Sequence, residues 1–196
     1  MIEFFIAGLL LGISAGISPG PLMAVLISET IKGNFKNGFI ISIVPVLTDI
    51  PLIIVLVFFL KNVQNHEFII KTLYFLGFIV LTYYGLKDIL ASKVDININS
   101  YTVASLKRGL LTNILNPHPY IFWGLVGVPF IIEENIFNMI SFIAGFFIGI
   151  VGSKISIALI VEKSKKFLQS RYYIYMIKLS GLILVLFGLV LFSKIF

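Results

Sequence analysis

No cysteine occurs among the 196 residues, which excludes disulfides, thiolate metal sites and cysteine nucleophiles. Charge is scarce too. Only 12% of the residues are Asp, Glu, Lys or Arg, where a soluble domain carries roughly 25%. The motifs of soluble catalysis are missing as well: there is no HExxH, GxSxG, Walker loop or GxGxxG in its context. No enzyme activity and no cofactor are expected. Met1-Ile2-Glu3 has no basic start and the first apolar stretch is too long for a signal peptide, so no cleavable leader is expected.

What is present is apolar. Hydrophobic residues make up 59% of the chain, and the mean hydropathy is +1.06. The sequence predicts an all-α polytopic membrane protein with one transmembrane domain over residues 1–196. A span needs about 20 apolar residues. Six such stretches fall near 4–28, 38–60, 68–86, 109–132, 136–160 and 174–193. The polar stretch 87–108 separates a first repeat, residues 1–90, from a second, residues 107–196.

The net charge of +6 reads as topology rather than nucleic-acid binding. The loops after spans one, three and five hold Lys32, Lys36, Lys87, Lys93, Lys107, Arg108, Lys163, Lys165, Lys166 and Arg171. The opposite side holds Lys61, Lys71 and Lys194. The positive-inside rule then places both termini outside the cytoplasm of a cytoplasmic-membrane protein. The "KSKKF" run at Lys163–Phe167 also suits contact with anionic lipid.

The halves echo each other. "SPGP" at Ser18–Pro21 recurs as "NPHP" at Asn116–Pro119, and "LTYYGL" at Leu81–Leu86 resembles "LVLFGL" at Leu184–Leu189, offset by 103. Three spans per half force opposite insertion, the inverted-repeat plan of many secondary transporters. Pro19, Pro21, Pro117 and Pro119 remove backbone donors in mid-span, so the first and fourth helices should break there and face the interior. Ser18 and Asn116 suit the N-cap before a proline at the first helical position. Gly20 permits close approach of a ligand to the backbone. Two mid-membrane helix starts make a site for a small anion or carboxylate. The alternative is that the prolines merely kink packed helices.

Few charges lie inside the spans. Asp49 sits at the centre of span two, where an aspartate costs roughly 2.5–3.5 kcal/mol to insert. It can hold a proton, a cation or a substrate ammonium group, or act as a structural carboxyl. Lys154 lies in span five, about six residues or roughly 9 Å from the span centre. It either snorkels to the cytoplasmic side, pairs with Asp49, or serves as a fixed cation for a carboxylate. His118 can relay protons or simply be hydrogen-bonded. Asn113, one turn before Pro117, can contact a ligand or cap freed carbonyls. Phe122 and Trp123 line the cavity or pack against another helix.

These motifs resemble the LysE-type amino-acid exporter family, including its homoserine/threonine-exporting branch. The resemblance rests on "GISPGP" at Gly16–Pro21, Gly33 and Gly38, Asp49, "FLGFIVLTYYGLKDIL" at Phe75–Leu90 and "KRGLLTNILNPHPYIFW" at Lys107–Trp123. His118 stands where the family often has lysine, and Thr48-Asp49 replaces a glycine-aspartate pair. The resemblance implies a six-span secondary exporter of amino acids or similar small zwitterions. Ser18, Pro19, Gly20, Pro21, Asp49, Asn116 and Pro117 would be its functional positions. The implied partners are an amino-acid substrate, a coupling proton and membrane lipid, with no nucleic acid; homo-oligomerisation stays open. Rocking of one half against the other would alternate access. The rival reading is efflux of a metal or other inorganic ion, with Asp49 and His118 as ligands.

Overall fold

The computed structural model describes residues 1–32, 34–61, 67–90, 105–163 and 171–195. Gly33, Lys93, Lys165, Lys166 and most of the 87–108 linker lie outside these residues. Every element among the described residues is helical. The elements are α1 (Ile2–Ile17), α2 (Pro21–Lys32), α3 (Phe35–Lys61), α4 (Glu67–Ile89), α5 (Ser105–Ile114), α6 (Pro117–Phe122), a π-helical turn (Trp123–Gly127), α7 (Val128–Ile131), α8 (Ile136–Lys163) and α9 (Arg171–Ser193). They fall on the six apolar stretches expected from the sequence. By length and hydropathy, α3 and α8 are each able to cross a membrane alone, and the bent pair α1–α2 makes a third candidate span. Large apolar side chains such as Ile54, Phe58, Ile140 and Leu186 point outward, as a lipid-facing surface requires.

Both S/N-P-x-P motifs interrupt their helices, but by different means. At the first, the chain bends by 64°. Ser18 leaves the helical region with φ −57° and ψ 132°, while its N–H still donates to Ser14 O at 3.0 Å. The second half begins at Pro21, with Ala24 N–H donating to Gly20 O at 3.0 Å. This corrects the expected cap: Ser18 closes α1 rather than opening α2, and Pro21, not Pro19, is the first helical residue. Pro19 and Pro21 each disfavour helical geometry at the residue before them, Ser18 and Gly20, so the second helix starts two residues later than the motif suggests.

At the second motif the expected arrangement is present. Asn116 is extended, with φ −81° and ψ 122°, and its side chain accepts from His118 N–H at 3.2 Å. Pro117 is the first helical residue. The helix then widens. Val128 N–H reaches back five residues to Trp123 O. Pro129 explains the wide turn, because it has no N–H to give to Leu125 O.

Two helix pairs organise the packing. Helices gain no hydrophobic drive from pairing in lipid, so small residues that let backbones touch take over. A Cβ on Gly8 or Gly12 would run into the carbonyls of Phe142 or Phe146. One on Gly145 or Gly149 would run into Phe5 O or Leu9 O. Contacts advance in the same direction along both chains, so α1 and α8 are parallel. The α4 and α9 helices run antiparallel, with Gly85 against Gly181 and Gly77 against Leu191. Between these pairs sits an aromatic cluster. Phe122 stacks on Phe146 at 5.0 Å, and Trp123 meets Phe146 edge-on at 4.8 Å.

Candidate functional site

Asp49 is buried midway along α3, and three donors hold it. Thr48 Oγ1 lies 2.8 Å from its Oδ1, and Asn113 Nδ2 donates to the same oxygen at 3.0 Å. The Trp123 indole N–H donates to Oδ2 at 3.2 Å. Asn113 also donates to Thr48 Oγ1 at 2.6 Å. The carboxylate is thus fixed from three elements, α3, α5 and the π-helical turn. A buried indole needs an acceptor, and the wide turn carries Trp123 to this one.

Lys154 is 3% exposed and makes no hydrogen bond or ion pair among the described residues. It does not snorkel. It lies within electrostatic reach of Asp49 without closing to an ion pair. Both side chains line one cavity of about 60 Å³. Ala15 of α1, Leu22 of α2, and His118 and Phe122 of α6 form part of its wall, so both interrupted segments reach it. A buried ammonium without a partner is costly. Here it faces a space that also holds a carboxylate.

The remaining expected residues separate into groups. Ser18 and Pro19 line a neighbouring cavity rather than this one. Gly20 and Pro21 are exposed, and a Cβ on Gly20 would meet open space. Asn113 stands behind Asp49 and orients it, instead of capping a carbonyl. Asn116 caps α6, and Pro117 is exposed. His118 borders both cavities and packs against Tyr84, with ring centroids 4.8 Å apart. The first turns of both second half-helices, Leu22 of α2 and His118 and Pro119 of α6, border the central cavity, and Asp49 and Lys154 supply its charged side chains.

Sequence reasoning missed two acidic residues. Asp88, near the end of α4, is buried and receives Ser18 Oγ at 3.0 Å. Glu29 of α2 is buried and pairs with Arg108 of α5 at 2.8 Å, with the Ser105 hydroxyl donating to its other oxygen. Among the described residues no three His, Asp or Glu side chains converge as a metal site would require.

Residues 13–194 match the family described as LysE type translocator. A Bacillus subtilis (strain 168) protein described as "Putative amino acid efflux protein YcgF" is 24% identical over 195 residues, covering 95% of this chain and 93% of that one. No solved structure matches the chain.

Proposed function

Because the chain belongs to the LysE type translocator family, we propose that it is a secondary exporter of amino acids or similar small zwitterions, working by proton antiport. The observation that carries this reading is the shared cavity of Asp49 and Lys154. A zwitterion presents an ammonium and a carboxylate a short distance apart. Asp49 receives the first and Lys154 the second. Thr48, Asn113 and Trp123 hold the Asp49 carboxylate in place before the substrate arrives, which reduces the ordering that binding requires. Asp49 and His118 are the groups able to exchange the coupling proton. The efflux named for the Bacillus subtilis relative supports amino acids as the cargo and export as the direction.

The same reading takes the six apolar segments as six spans in two inverted repeats. The α4–α9 contact supports it. An offset of 103 places Gly85 on Gly188 and Phe78 on Gly181. A Cβ added to Gly85 would run into the Gly181 carbonyl, while one added to Gly188 would come within 3.5 Å of the Phe78 carbonyl. Exchange of the repeats thus turns one contact into the other. The uneven spread of lysine and arginine puts both termini outside the cytoplasm.

Counterflow into proteoliposomes tests the function. Each of the twenty amino acids is loaded unlabelled, and uptake of its labelled form is followed with and without a pH gradient. At least one should accumulate, faster with the gradient, and Asp49→Asn and Lys154→Met should abolish it. If no amino acid moves faster than in protein-free vesicles, the reading is wrong.

A further inference from the structure

Beside the central cavity lies a second one, of about 80 Å³, walled by the end of α1, by α4 and by α6. Ala15, His118 and Phe122 border both, so the two spaces adjoin across His118 and Phe122. The second cavity has its own carboxylate. Asp88 is 7% exposed; its Oδ2 takes the Ser18 hydroxyl at 3.0 Å, and its Oδ1 has no hydrogen-bond donor among the described residues. Lys87 also lines the cavity, from an exposed position at its mouth. Each cavity therefore holds one aspartate and one lysine. A largely buried carboxylate that borders a cavity is stabilised by a cation placed beside it.

We propose that the Asp88 cavity is a second zwitterion site, occupied by the transported amino acid before it reaches Asp49 and Lys154. The proposal rests on the export reading above. Asp88 Oδ1 would receive the ammonium group, and two further features favour a cation there. The Tyr84 ring forms part of the wall, and an ammonium is attracted to an aromatic face. Asp88 is also in the last turn of α4, where the negative end of the helix dipole favours positive charge. Lys87 at the mouth receives the carboxylate. The position fits an entry site. Asp88 lies at the end of α4 that leads to the basic connection, whereas Asp49 is halfway along α3. A solute arriving from the basic side meets Asp88 first and must then pass His118 and Phe122.

The single tryptophan separates the two sites experimentally. Trp123 bonds to Asp49, so its fluorescence reports the central cavity and not the Asp88 cavity. The full chain in nanodiscs is titrated with an equimolar mixture of radiolabelled amino acids, and bound label and Trp123 emission are read together. The wild type should bind about two equivalents per chain at saturation, and Asp88→Asn about one, with the Trp123 response kept. In transport, Asp88→Asn should raise KM about tenfold with kcat nearly unchanged, since the loss is of initial capture. A wild-type count of one, or an Asp88→Asn count equal to wild type, overturns the second site and leaves the export reading intact. Absence of any binding to wild type overturns both. If Asp88→Asn also loses the Trp123 response, Lys87→Gln decides, because Lys87 is exposed and its replacement leaves the fold alone. Loss of one equivalent then supports the site, and an unchanged count overturns it.

Discussion

Replacing Asp49 by asparagine removes one charge and almost no volume, and the structure sets what should follow. Oδ1 takes two donors, Thr48 and Asn113, and Oδ2 takes one, the Trp123 indole. Asparagine does best by aiming its carbonyl at the first pair and its amide at the indole. Two N–H groups then face each other, and one bond is lost. An unsatisfied buried donor costs about 1–3 kcal/mol, so the protein should fold with a lowered melting temperature. Binding suffers more. Truncating one partner of a buried charge pair costs about 2–5 kcal/mol. That corresponds to an affinity loss of roughly 30-fold to several thousand-fold. Equilibrium binding of the amino acid found by counterflow, to detergent-purified wild type and variant, measures it directly. A folded Asp49→Asn protein whose Kd stays within about threefold of wild type would refute the role given to this carboxylate.

Other substitutions discriminate further. Lys154→Met removes an unpartnered buried cation at similar volume, so transport should vanish while thermal stability holds or rises; a fall of stability together with retained transport would contradict both assignments. Gly12→Ala drives a methyl group into the Phe146 backbone carbonyl, which cannot swing aside. A destabilisation of about 1–3 kcal/mol should appear in unfolding titrations, whereas Gly20→Ala, facing open space, should fall within about 0.5 kcal/mol of wild type. Arg108→Ala strips the buried Glu29 of this ion partner and should cost about 3–5 kcal/mol, and the exchange of both charges should recover part of it. Equal melting temperatures for Arg108→Ala and wild type would show that the pair contributes nothing.

The helix breaks were legible from the repeated S/N-P-x-P pattern rather than from proline alone, since Pro45 and Pro51 also remove backbone donors yet lie inside the continuous α3. How each break is closed was less so. Asn116 caps α6 as its type suggests, but the Ser18 N–H turns back to Ser14 O and the next helix starts at the second proline, Pro21. Asp49 announced itself by its cost in the middle of an apolar run. Asp88 and Glu29 did not, since charges near span ends are ordinary in sequence; only tertiary packing buries them. The π-helical turn had a local sign in Pro129, yet its effect, the delivery of Trp123 to Asp49, depends on α3 being alongside. The glycine stacks were readable in principle. Gly8, Gly12 and Gly16 recur every four residues, as do Gly145 and Gly149, and that spacing marks a face for close helix approach.

The intimate seam between α1 and α8 limits which parts can travel as a unit. One helix comes from the amino-terminal half and the other from the carboxy-terminal half, and the same is true of α4 with α9. Sliding whole halves past each other would unzip backbones that touch without side chains between them. The stiff bodies of this molecule are mixed couples, each drawn from both ends of the chain. The natural pivots are the Ser18–Gly20 corner, the step at Leu115–Asn116 and the loosened coil behind Trp123. The first and third border the charged chambers and the second lies just before His118, which borders both, so small swings there would re-aim the walls while the couples stay whole.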